Sequence, residues 1–144
     1  LAESIKINAL DYAVAMVYPR EIDEINILNA SILAMHKALN SLTKKFAHII
    51  VDGNRFKQFE NIPHTCIIKG DAKYQSIAAA SILAKTGRDQ YMQLLHNDYP
   101  QYGWNKNKGY ATKSHIEAMA TAGLSEHHRR TFHLHNQMKI QFPK

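Results

Sequence analysis

Two short apolar runs govern what this chain can become: FAHIIVDGN at residues 46–54 and HTCIIKGD at residues 64–71, each ending in an aspartate beside a glycine. Both are rich in β-branched residues and too short for a stable helix, so each is predicted to be a buried strand. Asp52 and Asp71 stand 71 − 52 = 19 residues apart, the length of a strand-to-strand connection. Ligands in open α/β sheets gather at the carboxyl ends of strands. Two readings of the aspartates therefore stand. In one they converge and hold a hard divalent cation through carboxylate oxygens. In the other Asp52 opens a DGN turn and Asp71 caps the helix that follows.

The rest of the chain supplies helices between strands. Leu1, Ile5 and Asn8 have helical spacing, and DYAVAMVYP (residues 11–19) is predicted as a strand that Pro19 closes. Leu28, Ile32, Met35 and Leu39 form one apolar face of a helix over about residues 21–41. After Asp71, the residues Ile77, Ala80, Ala84, Tyr91 and Leu94 keep helical register, at a small cost from Gly87. YPQYGWNKNKGYAT (residues 99–112) is predicted as loop, and Thr112 as the cap of a helix that runs to about Ala122 and stops at Gly123. Strands alternating with helices make the fold class α/β.

Composition narrows the function classes. With 144 residues, 45% of them hydrophobic, the chain is one domain or a piece of one. Its single cysteine, Cys66, excludes a disulfide framework and favours a reducing, cytoplasmic setting. No apolar stretch nears the roughly 18 residues of a membrane span, so no membrane is expected as a partner. Lys and Arg number 18 against 12 acidic residues, a formal charge of +6. Lys69, Lys73, Lys85, Arg88, Lys106 and Lys108 crowd one third of the sequence together with Tyr74, Tyr102, Trp104 and Tyr110. Basic residues interleaved with aromatics suit a groove that follows a nucleic-acid backbone; the plainer account is solvated charge, with Tyr110 covering core. His127, His128, His133 and His135 match no zinc spacing, Ser76 and Ser81 lie in helix rather than on a strained elbow, and no phosphate-cradling glycine loop occurs.

EIDEINILNASILAM, VDGN, KGDAKYQSIAAASILAKTGRD, YPQYGWNKNKGYAT, His115 and SEHHRRTF, in this order and with these gaps, resemble the bacterial ribonuclease HII family. The resemblance runs from about residue 1 to residue 132, and the tail from His133 carries no such signal. It implies an RNase H-like mixed sheet flanked by helices, with a C-terminal helical segment. It also implies an endonuclease that cuts the RNA strand of RNA–DNA hybrids and nicks 5′ of single ribonucleotides embedded in duplex DNA. Such enzymes use two Mg²⁺ or Mn²⁺ ions held by four carboxylates, and by position Asp52 corresponds to the third and Asp71 to the fourth. Tyr110 corresponds to the residue that packs on the sugar at the RNA-to-DNA junction, with Lys85, Arg88 and Lys108 near the substrate backbone.

The sequence departs from the family at one place. The Asp-Glu-Val-Gly-Arg-Gly motif that brings the other two carboxylates on the first strand is absent, and Glu3, Asp11, Glu21, Asp23 and Glu24 stand in the wrong context. Residues 1–144 are therefore expected to be the C-terminal two thirds of a single catalytic domain, with the first two strands missing, a seam of the sheet left open, and no cleavage by this chain alone. The alternative is a catalytically dead nucleic-acid-binding module. The sister type HIII enzyme is disfavoured by Tyr110 within KGY. The whole enzyme is expected to be a cytoplasmic monomer acting in DNA replication and repair.

Overall fold

The structure is a computed structural model that describes residues 1–131. The two apolar runs do form strands, β1 (Ile49–Asp52) and β2 (His64–Ile67), paired in parallel with Ile49 opposite His64 and Asp52 opposite Ile67. Parallel neighbours cannot be joined by a tight turn. The 63 − 53 + 1 = 11 connecting residues are held by packing instead, with Phe56, Phe59 and Ile62 against Ile49 and Val51. Helix α2 (Pro19–Ser41) clasps the same connection: the His36 ring meets Phe56 and Phe59 edge-on, its Nε2 lies 3.0 Å from the Lys57 carbonyl, and Lys57 Nζ donates to Asn29 Oδ1 at 2.9 Å. Cys66 is a half-buried free thiol against this core. Among the described residues β1 and β2 make the whole sheet, so each strand has an unpaired edge.

The chain divides into two compact units, one of residues 1–17 and 28–87, the other of residues 18–27 and 88 onward. Helix α1 (Ala2–Asn8) and the strands belong to the first. Helices α2 and α3 (Gln75–Asp98) each contribute to both, and α2 breaks its helical geometry at Asn26, where φ is 67°. The second unit packs Met92, Leu95, Tyr102, Trp104 and Met119 into one core, with α4 (Trp104–Asn107) and α5 (Lys113–Ala122) around it. Trp104, at 2% exposure, lies at its centre and stacks on Tyr102 with ring centroids 4.9 Å apart.

Four expectations change. DYAVAMVYP is not a strand: among the described residues no segment pairs with it, although burial still alternates from Asp11 to Val14. Leu94 is 64% exposed while Leu95 is buried, because the buried line of α3 that starts at Ile77 returns after 95 − 77 = 18 residues, five turns of 3.6. Ala80 and Ala84 are likewise exposed. The stretch from Tyr99 to Thr112 is not plain loop, since Pro100–Tyr102 forms a 3₁₀ turn and Trp104–Asn107 an α-turn, both anchored by buried aromatic rings. Leu28, placed on the buried face of α2, is more than one third exposed, whereas Ile32 is buried and Met35 and Leu39 pack under β1. Gly87 has a reason in packing: a Cβ there would come within 3.1 Å of Val14 Cγ1.

Thr112 caps α5 as expected, its Oγ1 accepting from the His115 N–H at 3.3 Å. That helix is the C-terminal helical segment of the described residues; His133, His135 and the rest of the tail lie outside them. No helix among the described residues is long and apolar enough to cross a membrane. Replacing Trp104 by Ala removes the largest side chain of the second core, and should lower stability by about 3–5 kcal/mol. The shift in the urea unfolding midpoint, at unchanged slope, measures it.

Candidate active site

In the first unit the parallel ladder carries Asp52 to the carboxyl end of β1. Ile49 and Val51 alternate into the core, so Asp52, next after Val51, faces away from them and is exposed. One more ladder bond, from the Gly53 N–H to the Ile67 carbonyl at 2.9 Å, holds the strand end. Beyond β2 the chain turns at Lys69 (φ 54°) into a short 3₁₀ turn, Gly70–Ala72, that carries Asp71. The Gly70 N–H donates to Asp52 Oδ1 at 2.9 Å, which ties the two aspartate-bearing ends together. Asp71 Oδ1 accepts from the Ala72 N–H at 3.0 Å.

Asp71 does not cap the long helix: α3 begins at Gln75, and Asp71 Oδ1 bonds within its own turn. Each carboxylate is exposed and has one oxygen held by a backbone N–H, Asp52 at the end of β1 and Asp71 in the turn after β2. That is suitable chemistry for a hard cation, which prefers oxygen ligands. Two carboxylates are few for the charge of two divalent ions, and among the described residues no group of three or more His, Cys, Asp or Glu side chains is placed to hold a metal. Gly70 is buried against this corner, and a Cβ there would meet Ile77 Cδ1 at 2.7 Å and Asp52 Oδ1 at 3.5 Å.

Two other carboxylates have structural employment. Asp11 accepts from Thr43 N, Lys44 N and Thr43 Oγ1, and these bonds, led by Lys44 and Thr43 backbone, hold it below the usual carboxylate range. In the second unit Asp23 clamps Arg130 N (2.9 Å), Thr131 N (3.0 Å) and Thr131 Oγ1 (2.7 Å). Burial opposes its ionisation, but those donors prevail and lower its pKa.

The second unit brings together Arg88, Lys108 and Tyr110, while Lys85 lies exposed on the part of α3 in the first unit. Arg88 Nη2 donates to the Lys108 carbonyl at 3.1 Å. Lys108 (φ 52°) and Gly109 (φ 85°) are both left-handed, and a Cβ on Gly109 would crowd Arg88 Nη2 at 3.1 Å and Met92 Cε at 3.3 Å. Tyr110 is 74% exposed, so it does not cover core. Sequence reasoning missed Arg129 and Asn107. Half-buried Arg129 has its pKa lowered, first by burial and then by the Arg88 charge, with Asp23 and Tyr110 opposing. Buried Asn107 donates to the Tyr102 carbonyl at 2.7 Å and accepts from the Gly109 N–H at 2.8 Å. The adjacency of Asn107 to KGY was the only signal for it.

His127 and His128 enter the aromatic core rather than a metal site: His127 meets Tyr99 edge-on, and His128 meets Tyr102 at 4.6 Å and Trp104 at 5.1 Å. Burial, then the neighbouring His115, pushes His128 down to about 4.

The family model for ribonuclease HII matches residues 1–140. The ribonuclease HII of Christiangramia forsetii is 58% identical over 143 residues, 99% of this chain and 72% of that protein. That of Bacteroides thetaiotaomicron is 56% identical over 144 residues, again 99% and 72%. A crystal structure of ribonuclease H2 from Pyrococcus horikoshii superposes with a TM-score of 0.74 at 27% identity, covering 91% of this chain and 69% of that one.

Two outcomes test the site's construction. Gly70→Ala should cost about 1–3 kcal/mol by overpacking, and Ile77→Val, which deletes the crowded Cδ1, should recover part of that in the double variant; thermal denaturation of the four proteins reads it. Because the folded chain declines a proton on His128 that the unfolded chain accepts, stability should fall as pH drops from about 6.5 to about 4 and gain no further loss from this group below. The difference between the unmodified chain and His128→Gln across that window isolates it from the carboxylates.

Proposed function

Since the chain belongs to the ribonuclease HII family, a family of ribonuclease H hydrolases, we propose that it carries half of a two-metal endonuclease site together with a substrate-binding surface. The substrates are RNA–DNA hybrids, cut in the RNA strand, and duplex DNA with single embedded ribonucleotides, nicked on the 5′ side. The observation that carries this reading is the Gly70 N–H to Asp52 Oδ1 bond of 2.9 Å, which joins the strand end that bears Asp52 to the turn that bears Asp71. Asp52 and Asp71 would hold Mg²⁺ or Mn²⁺. When bound, such ions would supply activation of a water and stabilisation of the leaving oxygen.

The chain's own residues have separable tasks. The Gly70 and Ala72 N–H groups hold one oxygen of each aspartate, which narrows the rotamers the carboxylates must search. Lys85, Arg88 and Lys108 lower the cost of bringing a polyanion close. Tyr110 offers an exposed ring to a sugar or base, a contact that tolerates any sequence. The carboxylate count supports the further proposal that this chain alone cleaves slowly or not at all. We place the whole enzyme in the cytoplasm, as a monomer serving DNA replication and repair.

The test joins this chain to the N-terminal segment of the similar Christiangramia forsetii ribonuclease HII. With Mn²⁺ or Mg²⁺, the chimera should nick a duplex 5′ of its single ribonucleotide, whereas the chain alone should not. Asp52→Asn or Asp71→Asn should each lower the rate at least about 100-fold, since even residues that only support metal ligands cost about 10–100-fold. Undiminished nicking in either variant refutes the site. A chimera that binds the duplex and never cuts it would favour the catalytically dead binding module.

A further inference from the structure

We propose that His115 and His128 form a one-way hydrogen-bond brace that fixes the backbone of Tyr110, which makes both of them positioning residues for the aromatic contact. The proposal rests on the reading of Tyr110 as a substrate contact.

The geometry leaves one arrangement of protons for the neutral rings. The Ser125 N–H, which can only donate, points at His128 Nδ1 at 3.0 Å, so that nitrogen is bare. Ser125 Oγ, which accepts from the His127 N–H at 3.2 Å, lies 3.0 Å from the same nitrogen and donates to it. The proton of neutral His128 is therefore on Nε2, 3.3 Å from His115 Nε2, which must accept. The His115 proton is then on Nδ1, and it meets the Tyr110 carbonyl at 3.0 Å. Both rings are buried, at 4% and 8% exposure, so neither reaches a substrate.

The chain of donors ends where the loop needs it. The Tyr110 carbonyl also accepts from the Thr112 N–H at 2.8 Å, and the Tyr110 N–H donates to the Asn107 carbonyl at 2.9 Å. Arg88 holds the Lys108 carbonyl, and Asn107 Oδ1 holds the Gly109 N–H. The backbone on both sides of Tyr110 is thus tied down while its ring remains 74% exposed. An exposed ring gains nothing for folding, and an apolar pair would fill the space of two imidazoles without their desolvation cost. What the polar pair adds is direction. A loop already immobilised loses less freedom on binding. Protonating His128 would put a proton on the Nδ1 at which the Ser125 N–H points, and burial, which lowers its pKa to about 4, keeps that ring neutral at pH 7.

Three measurements on this chain test the brace. In long-range ¹H–¹⁵N spectra at pH 7, His115 should be the neutral Nδ1–H tautomer and His128 the neutral Nε2–H tautomer; the opposite tautomer or a charged ring at either position overturns it. His115→Asn keeps an N–H in the place of Nδ1, whereas His115→Gln moves it to the place of Nε2. Amide exchange at Thr112 should therefore quicken at least about ten-fold in Gln relative to Asn, and equal rates overturn the brace. For a duplex with one embedded ribonucleotide, followed by fluorescence anisotropy, Tyr110→Ala should weaken binding roughly ten-fold, and His115→Gln should match it. His115→Asn should stay within about three-fold of the unmodified chain, and His115→Gln/Tyr110→Ala should be no weaker than Tyr110→Ala. Losses that add in the double variant overturn the brace, because general damage to the core would add. Unchanged binding in Tyr110→Ala instead overturns the reading of Tyr110 on which the proposal stands.

Discussion

The parallel register of β1 on β2 is the constraint on which the rest depends. It sets Asp52 opposite Ile67, brings the Gly53 N–H to the Ile67 carbonyl, and delivers the chain into the turn whose Gly70 N–H reaches Asp52. A slip of one residue would send Ile49 and Val51 to the exposed face and Asp52 into the core. Register is protected by packing, because Phe56, Phe59 and Ile62 from the connection fill the face that Ile49 and Val51 present. The same apolar contacts that hold the first unit therefore aim its carboxylate.

The second unit holds Tyr110 by polar means. The Tyr110 ring is 74% exposed, and its place comes from Asn107, Arg88, Thr112 and His115 acting on neighbouring backbone groups. Packing enters one step removed, through Tyr102 and Trp104 against His128. Asp23 secures the segment after His128 by gripping Arg130 and Thr131. A nonspecific contact such as stacking depends on where a ring is held more than on which ring it is, and here the holding is extensive.

Much of this was legible in the sequence. The two β-rich runs, the Thr112 cap and the Gly123 stop are local signals, written in side-chain chemistry over a few residues, and all are present in the structure. DYAVAMVYP misled because alternation reports one buried face, not a ladder partner, and burial alternates there with no partner among the described residues. Leu94 and Leu95 differ by one residue, finer than a periodicity count resolves over 18 residues. The fate of Asp71 turned on where α3 begins, and helix starts are weakly encoded when no side-chain cap marks them. Asn107, Arg129 and the pairing of His115 with His128 were not legible, since their partners are tertiary.

The span between β1 and β2 has a kinetic consequence. Closing a loop costs about (3/2)RT ln n, so the 11-residue connection is roughly 2 kcal/mol less costly to close than one of about 100 residues. Phe59 and Ile62 form a small antiparallel bridge inside it, which shortens the effective loop further. The corner that bears Asp52 and Asp71 is thus built from contacts of short sequence separation. Contacts such as Asp23 to Thr131, 108 residues apart, close late. A chain emerging from the ribosome would hold every residue of the corner that bears Asp52 and Asp71 well before the residues that embrace Tyr110 had all been made.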